Sequence, residues 1–374
     1  MIDVYVATFY SRNYGSALQA YALQEVIKQT GHTPCVIREV NHDEGRSKLY
    51  LLIRSIKRFI WQFKPEHHYG LIKKIKLYRD RSVFEDKNQK IEKFCEDNIR
   101  FFDIDLSTDV FSPGNINPCI IAGSDQIWNI IDRKITPFYL LSFANDEKIK
   151  KNSYAASVGI EKLSKEQVEY YTNALEDFEH ISFREKSTLR YFVGTQLEKR
   201  IRQDMDPTLL LDGEFWSKIA ANRLVDFKYI YVYMLRPNDV LIAMARVLQE
   251  KYGYKIIVSS LMNYKIKDVI TRNDAGVEEF LSLIKNAEFV VTNSFHGTCF
   301  STQFHKPFVS VRVQSTGTRA KDFLEEVGLE DRLISDISDI SIIEEDIDYI
   351  KVDHLLNKKR EKSKDYLQGL LNRE

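Results

Sequence analysis

Short apolar segments alternate with amphipathic segments along almost the whole chain, and this alternation is the feature that most restricts its fold. Strand-like segments separated by helix-like ones are typical of parallel α/β units. The first unit pairs a buried strand, IDVYVATF, with a helix, GSALQAYALQEVIKQTG, whose apolar residues recur at helical spacing until Gly31 stops it. Further strands are predicted at 117–123, 152–159, 180–183, 229–235, 254–260, 288–293 and 306–313, and helices at 164–179, 185–193, 239–251 and 276–286.

The length of 374 residues exceeds that of one ordinary hydrophobic core and predicts two domains. We place the division between residues 204 and 228, because DMDPTLLLDGEFW closes one series of units and DFKYIYVYML opens another. The predicted fold is therefore α/β, with two doubly wound, Rossmann-like domains facing each other across a cleft. The predicted units are an N-terminal domain at 1–210, a C-terminal domain at 225–345 and a charged C-terminal helix at 348–374.

Charge and cysteine usage argue against several classes of function. Lysine plus arginine equals aspartate plus glutamate at 54 each, so the chain as a whole has no basic field that favours nucleic acid. The cysteines are Cys35, Cys95, Cys119 and Cys299, and no two form a CxxC pair, which argues against disulfides and a structural zinc site. The sequence has no basic leader and no apolar run of about 20 residues. We therefore expect a soluble, cytoplasmic protein.

One region, a predicted basic helical insertion at 46–100, departs from the alternating pattern. Residues 46–81 carry eleven lysines or arginines against two acidic residues. Within them, residues 49–63 place apolar side chains on one helical face and three basic residues off that face. Such a helix either packs its apolar face on its own domain or lies on an anionic membrane surface, and the sequence leaves both readings open.

Ligands of open α/β sheets bind beyond the carboxyl ends of the strands, so the polar residues that follow each strand are candidates for a site. In the first half, a glycine-containing turn follows the first strand. The helix that begins after this turn has free backbone N–H groups that can bind an anion or a hydroxyl. An acid, an amide and an aromatic that suit a carbohydrate follow the strand at 117–123, although a helix cap and a core tryptophan are the alternative. An arginine suited to a carboxylate or phosphate follows the strand at 180–183. These candidates are Asn13, Tyr14, Gly15, Asp125, Gln126, Trp128 and Arg184.

The second half repeats this arrangement. The segment FVVTNSFHGTCFS runs from an apolar strand directly into a helix, and a histidine stands at the junction, where neither packing nor helix propensity requires one. Histidine can transfer a proton near neutral pH or, once protonated, bind an anion; a purely structural histidine is the alternative. Arginines end the strand at 229–235 and flank the loop VQSTGT. The candidates here are Arg236, Asn293, Ser294, His296, Gly297, Thr298, Arg312 and Arg319.

Several of these segments occur together in one known family. NYGSALQAYALQ, GSDQIWN, SYAASVG, SFREKS, DPTLLLD, TNSFHGTCFSTQFHKPFV and GTRAKDFLEEVGLEDRL, in this order, resemble the polysaccharide pyruvyl transferase family over residues 4–333. The resemblance implies a GT-B-like fold, similar to that of two-domain glycosyltransferases. It further implies transfer of pyruvate from phosphoenolpyruvate, as a ketal, to a sugar of a surface polysaccharide or its lipid-linked precursor, with release of phosphate. Phosphoenolpyruvate would be a co-substrate, and no metal or other cofactor is implied.

The resemblance also implies roles for the candidate residues. His296 and Asp125 would be catalytic: His296 would move a proton or contact phosphate, and Asp125 would orient or deprotonate an acceptor hydroxyl. The donor would be bound by Arg184, Arg236, Asn293, Ser294, Gly297, Thr298 and Arg319. The acceptor would be bound by Asn13, Tyr14, Gly15, Gln126 and Trp128. The chain departs from many relatives at Ser294, where they carry arginine, and at Ser16, where they carry an acid, so other arginines would have to supply the missing cation.

Two other functions are consistent with the same sequence. One is a nucleotide-sugar-dependent glycosyltransferase on the same architecture. The other is a catalytically silent carbohydrate-binding protein, which serine in place of the family arginine at position 294 supports. If the acceptor is lipid-linked, peripheral membrane contact through residues 49–63 is expected.

Overall fold

The computed structural model describes residues 2–11, 13–40, 81–106, 111, 118–130, 134–144, 146, 149–262, 266–313 and 318–372. Within these residues the chain forms two parallel β-sheets with helices between the strands. The central strands are buried along their whole length, as expected for parallel sheets that are covered on both faces.

The first sheet and its helices come from the first half of the chain. Its described elements are the strands β1 (Asp3–Ala7), β2 (Thr33–Glu39), β3 (Phe101–Ile104), β4 (Cys119–Ala122), β5 (Lys151–Ser153), β6 (Phe178–Phe183) and β7 (Ile201–Gln203), and the helices α1 (Tyr14–Gln29), α2 (Arg81–Asn98), α3 (Lys165–Ala174) and α4 (Lys186–Leu189). The strand order is β3-β2-β1-β4-β5-β6-β7. At its centre Val6 lies opposite Val36 on one side and Ile121 on the other.

The second sheet follows after a short connecting segment. Its described elements are the helix α5 (Gly213–Ile219), the strands β8 (Tyr229–Met234), β9 (Lys255–Ser260), β10 (Ile270–Thr271), β11 (Phe289–Thr292), β12 (Phe308–Val311) and β13 (Leu333–Ile334), and the helices α6 (Asp239–Tyr252), α7 (Val277–Lys285), α8 (Phe295–Gln303), α9 (Thr318–Glu326) and α10 (Tyr349–Leu371). The strand order is β10-β9-β8-β11-β12-β13. In both sheets the strand order reverses direction beside the first strand, which is where open α/β sheets bind ligands.

Helix α1 packs between the two halves. Thirteen of its 16 residues are buried, so it has no continuous solvent face. The ring of Tyr14 stacks on Phe280 of α7 with centroids 4.5 Å apart, and its hydroxyl donates a hydrogen bond to the carbonyl of Ala275 (2.7 Å). A single hydrophobic cluster joins Val4 of the first sheet to Val290 of the second. The two sheets therefore share a core.

Helix α10 returns the chain from the second half to the first. At its start the hydroxyl of Tyr349 donates to the carbonyl of Lys306 (2.6 Å). Towards its end the hydroxyl of Tyr366 donates to the carbonyl of Ser153 (3.0 Å). The helix is thus anchored in both halves, which restricts how far they can separate.

The sequence-predicted alternation of strands and helices is present, but some predicted bounds were wrong. The strand predicted at 152–159 ends at Ser153, because Ala155 (φ 45°) and Gly159 (φ 64°) adopt left-handed conformations that a strand cannot contain. The helix predicted at 185–193 ends at Leu189 and continues as a 3₁₀ turn. The short strands β3, β7, β10 and β13 were missed, because strands of two to four residues carry too little periodic signal. The seven-residue strand β2 (Thr33–Glu39) was also missed.

The basic segment at 49–63 lies outside the described residues, so both readings of it stay predictions. From residue 81 onward the insertion is helical as α2, where Lys90 pairs with Glu279 of α7 (2.7 Å). Among the described residues, no helix combines the length and the apolar character that crossing a bilayer requires.

Candidate functional site

The carboxyl-end loops of the two sheets meet. Arg184, directly after β6, lies over the ring of Phe295, which begins α8 (4.8 Å from guanidinium carbon to ring centroid). Gln126, after β4, reaches Arg319 of α9. These two contacts agree with the expectation that the strand ends of both halves face a shared cleft.

His296 stands at the start of α8 and meets the first half of the chain at Gly15. A Cβ atom on Gly15 would lie 2.1 Å from Nδ1 of His296, so only glycine allows the backbone of α1 to approach the imidazole this closely. The side chain of Asn13 caps α1 by accepting a hydrogen bond from the backbone N–H of Ser16 (3.1 Å). In turn, the Ser16 hydroxyl donates a hydrogen bond to the backbone carbonyl of Asn13 (2.9 Å). The capped first turn of α1 thus forms one wall of the histidine's environment.

The opposite side of the imidazole faces Asp206. Its Oδ2 lies 3.5 Å from Nε2 of His296 and accepts a hydrogen bond from Nη1 of Arg184 (2.6 Å), while its Oδ1 accepts from the N–H and hydroxyl of Thr208 (3.0 and 2.7 Å). Burial alone would raise the pKa of Asp206, but the neighbouring His296, Arg184 and Thr208 lower it well below its usual range. Asp206 is therefore a buried carboxylate, and it lies in the segment between the two sheets.

Arg184 is almost completely buried and surrounded by acids. Besides Asp206, its guanidinium lies 3.6 Å from Glu185 and 3.8 Å from Asp125. Burial opposes its charge, but these carboxylates, Asp206 first, raise the pKa of Arg184 above its ordinary value. Its Nε and Nη2 atoms have no hydrogen-bond partner in the described part of the chain, although buried N–H groups are normally paired.

Arg319 has a neutral partner instead. With the Gln126 amide turned so that its oxygen faces the guanidinium, that oxygen accepts from Nη2 (2.8 Å) and Nε (3.2 Å) of Arg319. The guanidinium carbon lies 5.8 Å from the centroid of Phe295, so this ring has an arginine near it from each half of the chain. Burial, and then the like charge of Arg184, lower the pKa of Arg319 to about 10. Arg319 is still protonated at neutral pH.

A cavity of about 210 Å³ adjoins Arg319 at the carboxyl ends of β8, β11 and β12. Arg236, Arg312 and Arg319 line it, and none of its described lining residues is acidic. Asn293 shapes it by accepting from the N–H of Leu235 (2.8 Å) and donating to the carbonyl of Arg236 (2.9 Å). A small hollow lined by three arginine residues suits a small anionic molecule.

Larger surface hollows lie elsewhere on the described part of the chain. One, of about 600 Å³, is lined by residues of α5, the end of α8 and α10, and another, of about 590 Å³, by residues near the amino ends of β9 and β12. A third, of about 410 Å³, lies between β7 and α10. None of the three contains any residue that the sequence predicted for the site. Among the residues that the structure describes, no group of three or more His, Cys, Asp or Glu side chains is arranged to hold a metal ion.

The structure corrects the proposed acceptor roles of Trp128 and Tyr14. Trp128 has no exposed surface: its Nε1 donates to the carbonyl of Tyr139 (3.1 Å) and its ring packs edge-on against Phe178 and Phe183. The alternative, a core tryptophan, is what the structure contains. Tyr14 is equally buried and uses its hydroxyl and ring at the contact between α1 and α7. Neither aromatic ring can present a face to a sugar.

Three residues at the start of α8 that were predicted to contact the donor have structural roles instead. The hydroxyl of Ser294 caps α8 by accepting from the N–H of Gly297 (3.2 Å). A Cβ on Gly297 would lie 2.5 Å from Oγ1 of Thr292, so this glycine lets α8 start directly against β11. Thr298 is fully buried, and its hydroxyl donates to the carbonyl of Ser294 (3.0 Å). These residues position His296 and line no part of the cavity.

Asp125 lies beside the arginines, as a candidate should. It adopts a left-handed conformation (φ 67°), and its Oδ1 accepts from the N–H of Gln126 (2.8 Å). It is 8% exposed and its nearest cation is Arg184. Of the predicted residues, the structure therefore brings together His296, Asp125, Arg184, Gln126, Gly15 and Arg319 at the cleft, with Arg236 and Asn293 at the adjoining cavity.

Sequence reasoning assigned no role to Asp206 or Phe295. Asp206 was visible only as the first residue of DPTLLLD, where an acid before proline also reads as an ordinary turn. Phe295 is an aromatic residue at a strand-to-helix junction, where such a side chain is typical of a core. The pairing of each with its arginines depends on contacts between distant segments, for which one sequence carries no signal.

The chain is similar to one known protein family in sequence and to several solved structures in fold. The family model described as polysaccharide pyruvyl transferase matches residues 13–315. No curated protein matches the chain. Among solved structures, the chain is similar to S. aureus MnaA with UDP, with a TM-score of 0.54 and 11% identity over 100% of this chain and 97% of that one.

Two further solved structures show the same likeness. One is an Arabidopsis thaliana protein, UGT89C1 complexed with UDP, with a TM-score of 0.52 and 13% identity over 98% of each chain. The other is a UDP-GlcNAc 2-epimerase from Neisseria meningitidis bound to UDP-GlcNAc, with a TM-score of 0.51 and 10% identity over 99% of each chain. Likeness at this identity concerns the fold alone. It confirms the predicted GT-B-like arrangement of two Rossmann-like domains.

Proposed function

The chain belongs to the polysaccharide pyruvyl transferase family and is thus a transferase; we propose that it moves the enolpyruvyl-derived group of phosphoenolpyruvate onto a carbohydrate as a ketal and releases phosphate. The cavity lined by Arg236, Arg312 and Arg319 is the proposed donor site. The acceptor is a sugar of a surface polysaccharide or its lipid-linked precursor, and no cofactor besides phosphoenolpyruvate takes part.

One observation carries this proposal: the described lining of the cavity holds three arginines and no acid. Phosphoenolpyruvate has a carboxylate and a phosphate, and guanidinium groups bind both with paired hydrogen bonds. The unpaired N–H groups of Arg184 lie close by, across the ring of Phe295. A cavity of about 210 Å³ is also smaller than the roughly 300–1,000 Å³ that drug-sized ligands occupy. Its size therefore favours a small donor over a nucleotide sugar.

The proposed reaction needs one proton at carbon and removes two from the acceptor. Protonation of the methylene carbon makes a methyl group and leaves cationic character at the carbon that bears the phosphate. One acceptor hydroxyl adds to that carbon, the carbon–oxygen bond to phosphate breaks, and a second hydroxyl adds to close the ketal. Of the two hydroxyl protons lost, one balances the proton given to the methylene carbon and the other leaves on the phosphate.

His296 is the proposed acid. Nε2 of the imidazole lies 3.5 Å from Oδ2 of Asp206, and the Nδ1 side of the ring packs against Gly15. From this position the histidine either delivers the proton to the donor or keeps it and faces the departing phosphate. Asp125, at the same edge, is the proposed base for an acceptor hydroxyl. Acceptor contacts are proposed for Asn13, Gly15 and Gln126, which follow the carboxyl ends of strands in the first sheet.

Phosphate release from phosphoenolpyruvate, measured with purified protein and a panel of saccharide acceptors, tests this function. We expect acceptor-dependent release of one phosphate per ketal formed. In parallel, phosphoenolpyruvate is expected to raise the melting temperature, since a ligand that binds only the folded state stabilises it. Absence of both effects, at donor concentrations up to the millimolar range, would refute the proposal.

A nucleotide-sugar glycosyltransferase is the second candidate. It is favoured by one observation, the likeness to solved structures described as containing UDP. Under this alternative UDP-GlcNAc or another nucleotide sugar raises the melting temperature and phosphoenolpyruvate does not. A catalytically silent carbohydrate-binding protein would respond to neither donor, while an oligosaccharide would still stabilise it.

Location at the cytoplasmic face of a membrane is proposed only together with a lipid-linked acceptor. The basic segment at 49–63 would then supply the contact with anionic lipids. Co-sedimentation with anionic vesicles is expected to fall when Arg54, Lys57 and Arg58 are neutralised together. Unchanged co-sedimentation would argue against membrane contact without affecting the proposed reaction.

A further inference from the structure

Arg312 differs from Arg319, which lines the same cavity, in its partner. It follows β12, and its Nη2 lies 3.0 Å from Oε1 of Glu161, which belongs to the loop after β5 in the other half of the chain. The two side chains are 40% and 32% exposed, so the pair lies at the rim of the cleft. Glu161 does not line the cavity. Its charge therefore neutralises Arg312 from across the cleft, outside the space that a ligand would fill.

The neighbouring arginines are held more tightly. Arg184 is 3% exposed and donates a 2.6 Å hydrogen bond to a fully buried carboxylate, so leaving it would expose an unpaired buried charge. Arg319 is held by the neutral amide of Gln126, and within the described part of the chain it has no ion pair to lose when an anion arrives. Arg312, by contrast, has an exposed ion pair that water and salt already weaken.

We propose that Arg312 is a specificity residue for the donor: it leaves Glu161 to bind the donor's second anionic group, so Glu161 competes with that group for the same guanidinium. A guanidinium bound to phosphate or carboxylate in a partly enclosed cavity forms stronger hydrogen bonds than an exposed ion pair. The exchange therefore favours a donor with two anionic groups over one with a single carboxylate. The inference rests on the proposed donor cavity, but it requires only that the donor be a dianion.

Opposite effects of two substitutions test this exchange. The dissociation constant for phosphoenolpyruvate is measured by calorimetric titration of the full chain. It is expected to fall by about two- to fivefold in Glu161→Gln, because the competing charge is gone. It is expected to rise by about tenfold or more in Arg312→Gln. In the double variant, Glu161→Gln is expected to have no further effect, because it acts only through Arg312. Pyruvate, with one carboxylate, is expected to bind all variants alike.

Glu169→Gln is the matched control, because Glu169 is an exposed carboxylate on α3. This variant is expected to bind phosphoenolpyruvate with the affinity of wild type. Weaker or unchanged binding in Glu161→Gln, or unchanged binding in Arg312→Gln, would overturn the inference. If wild-type protein binds UDP-GlcNAc and not phosphoenolpyruvate, the proposed function fails but the exchange is still tested. Tighter UDP-GlcNAc binding in Glu161→Gln would then support the role of Arg312, and unchanged binding would refute it.

Discussion

Oδ2 of Asp206 lies 3.5 Å from Nε2 of His296, so a carboxylate from the segment between the sheets faces the histidine in the first turn of α8. The same oxygen accepts the hydrogen bond of Arg184, which ends a strand of the first sheet. One buried carboxylate therefore lies against a side chain from each half of the chain, Arg184 and His296. This contact adds to the shared core and to helix α10, which also join the two halves.

Replacement of the histidine tests its proposed role as acid. In His296→Ala, phosphate release is expected to fall by about 10²–10⁴-fold, the usual contribution of a positioned acid. His305→Ala is the control, because His305 lies on the surface and pairs with Asp353. Turnover close to that of wild type in His296→Ala would remove this histidine from the mechanism. If the loss is in KM while kcat persists, phosphate binding is its main role.

Gly15 is expected to tolerate no side chain. In Gly15→Ala the new Cβ meets Nδ1 of His296, so we expect a loss of about 1–3 kcal/mol in unfolding free energy and reduced turnover. Gly369→Ala in α10 is the control, because nothing lies within 4 Å of its Cβ and alanine favours the helix by about 0.5–1 kcal/mol. Chemical denaturation measures both. Equal stability of Gly15→Ala and wild type would contradict the close approach.

Arg319 is expected to anchor the donor. In Arg319→Gln, the dissociation constant for phosphoenolpyruvate should rise by about tenfold or more, because a charge-assisted hydrogen bond in an enclosed site is lost. Arg190→Gln is the matched control, since Arg190 is exposed and lies over Tyr191, away from the cavity. Calorimetry with the purified variants provides the measurement. A donor affinity unaffected by the loss of Arg319 would place the donor elsewhere.

Two aspartates separated by one residue are expected to respond to pH in opposite ways. The folded-state pKa of Asp206 is depressed, so its stabilising contribution is present above the unfolded pKa of about 3.9 and is lost as pH falls below it. Burial first, only partly offset by Arg202, raises the pKa of Asp204 to about 6. The contribution of Asp204 is therefore present below about pH 4 and is lost as pH rises towards 6.

Unfolding free energies of Asp206→Asn and Asp204→Asn, measured from pH 3 to 7, check these signs. The unfolding free energy of wild type should exceed that of Asp206→Asn by a constant amount above about pH 5. This difference should shrink as pH falls through 4. The advantage of wild type over Asp204→Asn should shrink as pH rises from 4 to 6, by at most about 1.4 kcal/mol per pH unit. The same slope in both variants would contradict the assignment.

Periodicity was sufficient to predict most of the strands. Buried strands such as β4 and β11 are short apolar runs followed by polar turns, and this pattern depends only on local sequence. The polar residues after them were placed at the right edge of each sheet for the same reason. Where left-handed residues interrupt an apolar run, as Ala155 does, the local pattern predicted a longer strand than exists.

The roles of individual side chains were harder to predict. Trp128 and Asp125 lie within four residues of each other, yet one is entirely enclosed by the core and the other reaches an arginine from another strand. Their spacing in the sequence was equally consistent with both facing a sugar. Which way a side chain turns after a strand depends on what packs against it, and its partners come from segments distant in sequence.

The sequence alone determined the parallel α/β architecture, the family and the edge of each sheet where polar residues gather, because these follow from short-range periodicity and ordered motifs. The tertiary structure decided which of those residues meet: the contact of Gly15 with His296, the carboxylate of Asp206 between Arg184 and His296, and the pairing of Arg312 with Glu161. These are long-range contacts between charged or closely packed groups, and their energies depend on distance and burial, which only folding sets.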